Sequence, residues 1–299
     1  MTILKHTDNF SKKLSAITLP QLPQVLVQLI DICKADDVDI RLVAQTVAQD
    51  IAITTKTLQL ANSAFLGARS QFKNIDQAVI FLGVDTVRNL AISVSVHEVF
   101  GNNIPSNGFN LKQFWYHCLL TALIAKTIAQ KSGYDDPGAA YLTGLLHDTG
   151  KFLLCQHIGE DYQNLLLQHS YSDNLVAIEK KYFEISHCDV GKWMLDDWNL
   201  SQELGLAVRD HHNIDGPDTE TSVLGRILRL ANTLTKKADV FDEQTIKDAS
   251  ILCIDPSSMS AIVEDQSAAL EELAQTLGIS VEEPQPSVLS TTEKENLAI

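Results

Sequence analysis

The spacing of apolar residues along the chain predicts a protein built from helices. Leucine, isoleucine and valine recur at three- and four-residue intervals through the first hundred residues. This periodicity predicts a helix ending near Cys33 and further helices over residues 40–49, 52–65 and 75–99. Gly83 interrupts the last of these, and Asp85 is placed to cap the helix that resumes. Short connections favour antiparallel packing, so about five helices form a first lobe.

A turn-rich segment, GNNIPSNGFN over residues 101–110, separates this lobe from a second one. Asn110 is a candidate N-cap for a long helix over residues 111–131. Asp136 and Pro137 supply a cap and a first-turn proline for the next helix, which carries the string GLLHDTGK. Further helices are predicted over residues 162–169, 175–183, 187–198, 202–212 and 223–237. The second lobe is therefore also a helical bundle.

The C-terminal part is predicted to add one helix and a tail. Asp255 and Pro256 cap a helix over residues 258–277, whose apolar positions can pack on the bundle. Periodicity ends after that helix, as expected for a disordered segment. The predicted organisation is all-α, with a leader over residues 1–18, a domain over 19–238 (lobes 19–105 and 111–238), a helical extension over 239–279 and a tail over 280–299.

Charge and cysteine content narrow the classes of function. The formal net charge of -15 disfavours non-specific binding to nucleic acid or to an anionic membrane. No charge-free apolar run reaches the roughly 18 residues that span a bilayer, and no signal peptide opens the chain. The five cysteines form no CxxC pair and are interpreted as reduced core thiols. Together these features predict a cytoplasmic protein without nucleic-acid or membrane partners.

Candidate chemistry lies in the histidines of the second lobe. His147 and Asp148 are adjacent, so on one helix they diverge by about 100° and can approach one metal ion from neighbouring ridges. Lys151 shares their face and can hold a phosphate oxygen, while Gly150 leaves room for a close approach. Imidazoles with a carboxylate suit iron, zinc, manganese or nickel better than calcium. Such a metal would support phosphoryl chemistry.

Each histidine also has a structural interpretation. His117 can pack as a core imidazole beside Trp115. The pair His211 and His212 is compatible with a solvated helix end, where the helix dipole favours a cation. His187 can be an ordinary first-turn residue. The residues alone leave both interpretations open for each histidine.

Several longer strings resemble the HDOD family, which is related to the metal-dependent HD phosphohydrolases. The resemblance covers residues 19–212 and extends arguably to residue 238. It implies an all-α fold with an HD-like helical core and an additional N-terminal helical lobe. The strings that carry it are LPQLPQVLVQLIDI, LQLANSAFLG, IDQAVIFLGVDTVRNLAIS, FWYHCLLTALIAK, YLTGLLHDTGKFLL, EISHCDVGKWMLDDW and AVRDHH.

The resemblance also implies a ligand set for one or two divalent ions of iron, manganese, zinc or nickel. Proteins of the wider HD superfamily use a histidine, a His-Asp pair, a final aspartate and, in two-metal members, extra histidines. The corresponding positions here are His117, His147, Asp148, His187, His211 or His212, and Asn232. Asn232 stands where the final aspartate is expected, so one anionic ligand is lost and metal affinity should fall.

The function implied is that of a stand-alone signalling or regulatory protein with a partly degenerate metal site. It would act through a protein partner in trans or a small phosphorylated or nucleotide ligand, reported through packing between the lobes. One alternative is a metal-dependent phosphohydrolase or phosphodiesterase, with Asp148 and Lys151 as catalytic residues. The HD-GYP phosphodiesterases are disfavoured, because no Gly-Tyr-Pro follows His212. Another alternative is a protein-binding scaffold without metal.

Overall fold

The chain is an assembly of helices. The computed structural model describes residues 17, 19–33, 37–63, 71–101, 109–169, 174–213, 221–236 and 242–283. Every regular element in these ranges is helical, which confirms the all-α prediction. The α-helices are α1 (Gln24–Ile32), α2 (Ile40–Val47), α3 (Ile51–Ala61), α4 (Ile75–Leu82), α5 (Val84–Gly101), α6 (Leu111–Ser132), α7 (Pro137–Leu146), α8 (Thr149–Ile158), α9 (Glu160–His169), α10 (Leu175–Phe183), α11 (His187–Asp197), α12 (Gln202–Asp210), α13 (Val223–Lys236), α14 (Glu243–Ile251), α15 (Met259–Glu264) and α16 (Ser267–Leu277), with a short 3-10 helix (Pro256–Ser258) before α15.

Helices α1 to α5 lie in the part of the chain that was predicted as the first lobe, and the division into lobes stays a prediction. Asp50 caps α3 by accepting from the Ile53 amide. The predicted cap at Asp85 was wrong, because α5 begins one residue earlier, directly after Gly83. Gly83 has a φ of 80°, a left-handed conformation that glycine adopts without the strain a side chain brings. That turn, and not a capping carboxylate, separates α4 from α5.

Helices α6 to α13 form the second lobe. The predicted caps are confirmed: Asn110 accepts from the Gln113 amide, and Asp136 accepts from the Ala139 amide. Helix α6 packs against α7 and α13, and α11 packs against α8 and α12. The predicted lobe boundaries at residues 105 and 238 lie outside the described residues.

The two lobes share one hydrophobic core. Helix α5 of the first lobe packs on α7 of the second. Across this junction the ring of Phe100 meets the ring of Phe152 edge to face, with centroids 4.8 Å apart. The indole of Trp198 donates a hydrogen bond to the carbonyl of Pro20 at 3.0 Å. The first lobe therefore packs against the helices that carry the histidines and supports them.

The C-terminal extension differs from its prediction. Helix α14 was not predicted as a separate element. It is joined to α13 by Asp248, which accepts hydrogen bonds from the buried side chains of Arg226 and Arg229. The predicted continuous helix over residues 258–277 was wrong, since it breaks between α15 and α16. Helix α15 contacts α6 and α13. The break turns both segments onto the bundle, and α16 contacts both α3 and α6.

Two further predictions concern thiols and membranes. All five cysteines are free thiols, and Cys118, Cys155 and Cys188 are buried. The core assignment was wrong for Cys253, which is exposed. Among the described residues no single helix is long and apolar enough to cross a membrane, and α4 and α5 meet that test only as a pair bent by 108°. The predicted tail lies outside the described residues beyond residue 283, as does the leader except for residue 17.

Candidate metal centre

The histidine cluster is organised by a break between α7 and α8. GLLHDTGK was predicted on one helix, and this was wrong: α7 ends at Leu146, and Asp148 (φ -101°, ψ 1°) precedes α8. The Thr149 hydroxyl bonds back to the Leu146 carbonyl at 2.6 Å and closes the turn between the helices. His147 and Asp148 therefore face one point because the chain turns between them, whereas the prediction placed them on neighbouring ridges of one helix.

Asp148 lies at the centre of a ring of imidazoles. Its Oδ2 is 3.3 Å from Nε2 of His147 and 3.4 Å from Nε2 of His117. Its Oδ1 is 3.5 Å from Nε2 of His187 and 3.7 Å from Nε2 of His211. These side chains come from α6, the α7–α8 turn, the start of α11 and the end of α12. The structure thus brings together residues that are up to 94 positions apart in the sequence.

The ligand atoms fall into two groups that share Asp148. One group contains His117, His147 and Asp148, and the other contains Asp148, His187, His211 and His212. Within each group the candidate atoms lie within 4.8 Å of one another. This donor set of imidazole nitrogens and a shared carboxylate can hold a metal ion.

The second nitrogen of each of three histidines is held by an acceptor. Nδ1 of His147 bonds the Gly144 carbonyl at 2.7 Å, and Nδ1 of His211 bonds the Val208 carbonyl at 2.6 Å. Carbonyl oxygens only accept, so both Nδ1 atoms carry protons. Nδ1 of His187 likewise faces a carboxylate oxygen at 2.7 Å. Partners of this kind orient metal-binding imidazoles and direct Nε2 towards the ion.

The hydrogen bond between Nδ1 of His117 and Thr235 determines how Nε2 of His117 meets Nε2 of His147. Thr235 donates its hydroxyl proton to the Asn232 carbonyl, so it accepts from Nδ1 of His117 at 3.2 Å. Nε2 of His117 then faces Nε2 of His147 at 3.1 Å with no proton between two neutral rings. Two lone pairs at this distance repel each other, and the repulsion is relieved either by a cation between them or by a proton on Nε2 of His117 that points to Asp148. The geometry therefore fits a cation in this group.

Buried polar atoms without hydrogen-bond partners are a second indication that the cluster fits a metal ion. Among the described residues, Oδ1 of Asp148, Nε2 of His211, Nε2 of His212 and Oδ1 of Asn232 are buried and have no hydrogen-bond partner. Leaving such atoms unpaired costs about 1–3 kcal/mol each. All four belong to the predicted ligand set, so the residues present fit a divalent ion.

Electrostatics keep the shared carboxylate charged. Burial opposes ionisation of Asp148, but its interactions with His147 and Lys151 outweigh burial and hold its pKa well below the ordinary value. Lys151 donates to Oδ2 of Asp148 at 2.6 Å. Burial disfavours its charge as well, yet Asp148 raises its pKa. Burial lowers the pKa of His147 to about 3 despite the adjacent carboxylate, so this ring is neutral and available as a ligand.

The second group contains a charged pair beside the shared carboxylate. Burial alone would lower the pKa of His187, but Cys188 and Glu179 raise it to about 10. Burial alone would raise the pKa of Cys188, but His187 and His211 lower it to about 6. Sγ of Cys188 lies 3.4 Å from Nε2 of His187. Metal binding at His187 is therefore coupled to loss of its Nε2 proton.

Sequence reasoning missed Glu179, a fully buried carboxylate on α10. Glu179 accepts from both the backbone amide and Nδ1 of His187, and it accepts the hydroxyl proton of the buried Tyr162. The signal was present in the sequence. Glu179 lies one turn after the buried Leu175, so it occupies the buried face of its helix. A lone acid on an apolar stripe is a candidate for a paired, functional carboxylate.

The remaining candidates lie at or beside the cluster. His211 is 1% exposed, so it does not lie at a solvated helix end. His187 is the first residue of α11, where Ser186 and Asp189 form a capping box. Asn232 is 3% exposed, and only its backbone carbonyl is linked to His117, through Thr235. Its role as a ligand remains a prediction.

We expect Glu179→Gln to weaken metal binding about tenfold to hundredfold, because the amide lacks the charge that supports His187. Affinity would be measured by competition with a chromophoric zinc chelator. Glu160→Gln on α9 is the matched control, since Glu160 is exposed. An unchanged affinity in Glu179→Gln would show that His187 needs no charged partner to bind metal.

The sequence profile of the family described as HDOD domain matches residues 19–214. An uncharacterized protein of Treponema pallidum (strain Nichols) is 26% identical over 223 residues. That match covers 74% of this chain and 43% of the relative, so the chain spans less than half the length of that protein.

Solved structures share the fold. An HDOD domain protein of unknown function from Geobacter sulfurreducens has a TM-score of 0.74 at 22% identity, and the match covers 92% of this chain and 98% of that one. A proposed phosphohydrolase from Shewanella amazonensis has a TM-score of 0.71 at 21% identity, covering 90% and 98% of the two chains. At these identities the likeness concerns the fold alone.

Proposed function

The chain belongs to the HDOD domain family, and on this premise we propose that it is a regulatory protein with a partly degenerate metal site. In this proposal His117, His147, Asp148, His187 and His211 hold one or two divalent transition-metal ions. The protein signals through a protein partner or a small phosphorylated or nucleotide ligand, and the packing between its lobes reports the bound state. When bound, a metal in such a site supplies Lewis acidity towards phosphoryl oxygens.

The observation that carries the proposal is the neutral amide at Asn232. Its Oδ1 is buried without a hydrogen-bond partner among the described residues, as a ligand atom or the remnant of one would be. An amide oxygen brings no negative charge to offset the charge of a divalent ion. The described cluster is therefore one carboxylate short of the set that the family resemblance implies, and this supports binding in preference to turnover.

The surroundings of Asp148 also support a regulatory role. Asp148 is 2% exposed, and His147 and His187 are fully buried. Lys151 already pairs with Oδ2 of Asp148, so it would have to leave that carboxylate to hold a phosphate oxygen. A substrate phosphodiester needs both an access path and a free cation. A buried ion that stabilises one packing of α6, α7 and α11 needs neither.

One observation favours the alternative function, a metal-dependent phosphohydrolase. Asp148 belongs to both ligand groups, so its carboxylate would help to hold two ions if both groups were filled. Two-metal sites stabilise both the attacking and the leaving oxygens of a phosphoryl group. In that case Asp148 would organise the site, and Lys151 would neutralise charge on the substrate.

We expect Asn232→Asp to raise affinity for Zn²⁺ or Mn²⁺ about tenfold or more, because it returns an anionic oxygen to a site of low dielectric. Chelator competition at neutral pH measures the change. Asn164→Asp, on the exposed face of α9, adds the same charge away from the cluster and should leave the affinity unchanged. Equal affinities for the native protein and Asn232→Asp would remove Asn232 from the ligand set.

One experiment separates the two functions. Purified protein would undergo elemental analysis, assays with bis(p-nitrophenyl) phosphate and cyclic dinucleotides, and hydrogen–deuterium exchange with and without metal. The regulatory proposal expects bound metal, no turnover and altered exchange in α5 and α6 at the lobe junction. Metal-dependent turnover would establish the phosphohydrolase. Absence of metal with unchanged exchange would leave a scaffold that acts without metal.

A further inference from the structure

Two of the candidate metal ligands, His211 and His212, lie on the turn that follows α12. This turn ends at Asn213, whose amide donates to the carbonyl of Asp210 at 2.9 Å. The carbonyl of Asn213 in turn accepts from Nη1 of Arg229 at 2.7 Å. The backbone that carries the two histidines is therefore tied to its own helix on one side and to α13 on the other.

The guanidinium of Arg229 is held in place by Asp248, a carboxylate on α14. Nε of Arg229 donates to Oδ2 of Asp248 at 2.6 Å, and Nη2 donates to Oδ1 at 2.8 Å. Two bonds in parallel fix the plane of a guanidinium as well as its position. Arg229 is 8% exposed and Asp248 is 1% exposed, so solvent screens the pair little. With the plane fixed, the direction of Nη1 is fixed too, and the carbonyl of Asn213 lies in that direction.

A second arginine on α13 provides an internal comparison. Arg226 also donates to Oδ1 of Asp248, at 3.0 Å, and is 5% exposed. Gln244 adds a further bond to the same oxygen at 3.2 Å. Loss of Arg226 therefore leaves the bond between Arg229 and Asn213 in place, whereas loss of Arg229 removes that bond and leaves Asp248 with a charged partner.

These contacts connect the C-terminal extension to the histidine cluster. Asp248 belongs to α14, which packs against α13. The family profile ends at residue 214, directly after the turn, so Arg229 and Asp248 lie beyond the residues that it matches. A cation beside the last carbonyls of a helix is also favoured by the helix dipole. The link thus runs from α14 through Arg229 to the end of α12.

We propose that the C-terminal extension sets the metal affinity of the ligand group that contains His211 and His212, by holding Arg229 on the carbonyl of Asn213. Arg229 is then a positioning residue and does not contact the ion. Nε2 of His211 and Nε2 of His212 have no hydrogen-bond partner among the described residues, so the backbone of the turn helps to set their directions. A turn that loses the Arg229 bond must be ordered by the ion itself, and that ordering lowers affinity. The inference rests on the proposed function, because it assumes that this group holds an ion.

Zinc affinity of the full chain tests the inference, with His117→Ala present in every protein to remove a ligand from the other group. In this background we expect Arg229→Met to weaken Zn²⁺ binding about tenfold. Arg226→Met, the matched control, removes the same charge from the same helix and should change the affinity less than about twofold. Asp248→Asn should weaken binding as Arg229→Met does, and combining the two should add no further loss, because Asp248 acts through Arg229. Competition with a chromophoric chelator gives the affinities.

A second background separates positioning from a general loss of structure. His211→Ala combined with His212→Ala removes the two histidines that Arg229 positions and retains the other ligand group. Here Arg229→Met should leave the zinc affinity unchanged, whereas a general loosening of the bundle would lower it in both backgrounds. Circular dichroism and denaturant titration establish that each variant is folded. If Arg229→Met does not fold, Arg229→Lys decides the question, since lysine keeps the charge beside Asp248 but lacks the fork that reaches Asn213.

A loss of about tenfold, confined to Arg229→Met and Asp248→Asn in the first background, is the expected result. Unchanged zinc affinity in Arg229→Met, an equal loss in Arg226→Met, or an equal loss in the two backgrounds would each overturn the inference. Each of these results leaves the proposed function standing, because zinc is still bound. A native protein that binds no zinc, manganese, iron or nickel would instead overturn the proposed function, and this inference with it.

Discussion

Asp148→Asn is expected to abolish metal binding and to destabilise the fold. Both ligand groups share Asp148, so we expect affinity to fall more than about a hundredfold. The substitution also leaves the ammonium of Lys151, 9% exposed, without its carboxylate. Removing one partner of a buried ion pair typically costs about 3–5 kcal/mol. Metal content would be measured by elemental analysis, and unfolding free energy by denaturant titration of chelator-treated protein.

A double variant separates the two effects. Asp148→Asn combined with Lys151→Met removes both charges, so it should recover much of the lost stability while metal binding stays absent. Lys151→Met alone should retain metal, because the carboxylate is then free of its competing cation. If the double variant is as unstable as Asp148→Asn in the absence of metal, the instability has a source other than the unpaired lysine.

Gly150→Ala is expected to lower the unfolding free energy by about 3 kcal/mol and to weaken metal binding. A Cβ at this position would lie 2.0 Å from the carbonyl oxygen of His187 and 3.0 Å from the amide nitrogen of Gly191. Both contacts are to the backbone of α11, which cannot rotate away. Helix α11 must therefore shift, and it carries His187 with it. Denaturant titration and chelator competition measure the two effects.

Gly205→Ala on α12 is the matched control. Its new Cβ would lie 3.1 Å from Oδ1 of Asp196, the flexible end of a side chain. Alanine also gains about 1 kcal/mol in helix propensity over glycine. We expect a change in unfolding free energy within about 1 kcal/mol and unchanged metal affinity. If Gly150→Ala behaves like this control, then α8 and α11 are not as closely packed as the structure indicates.

Much of the fold could be predicted from the sequence, because the spacing of apolar residues within a few turns of a helix indicates which face is buried. Apolar spacing and capping residues such as Asn110 and Asp136 located most of the helices, since both signals act within a few residues of the chain. The failures occurred where contacts across the molecule overrode local preference. The break between α15 and α16 is one case, since it turns both halves of a predicted single helix onto the same bundle.

The candidate site was likewise predictable from the sequence only in part. Residue types and spacing along the chain determined that imidazoles and one carboxylate were available, and the family resemblance supplied the expected ligand set with Asn232 in place of an acid. Tertiary structure brings His117, His187 and His211 to Asp148 from different helices, as the ligand set implied by the resemblance requires. It alone decided that Glu179 orients His187 and that Lys151 occupies one oxygen of Asp148. Sequence periodicity reports which face of a helix is buried, whereas the partner that a buried side chain meets depends on how the helices pack.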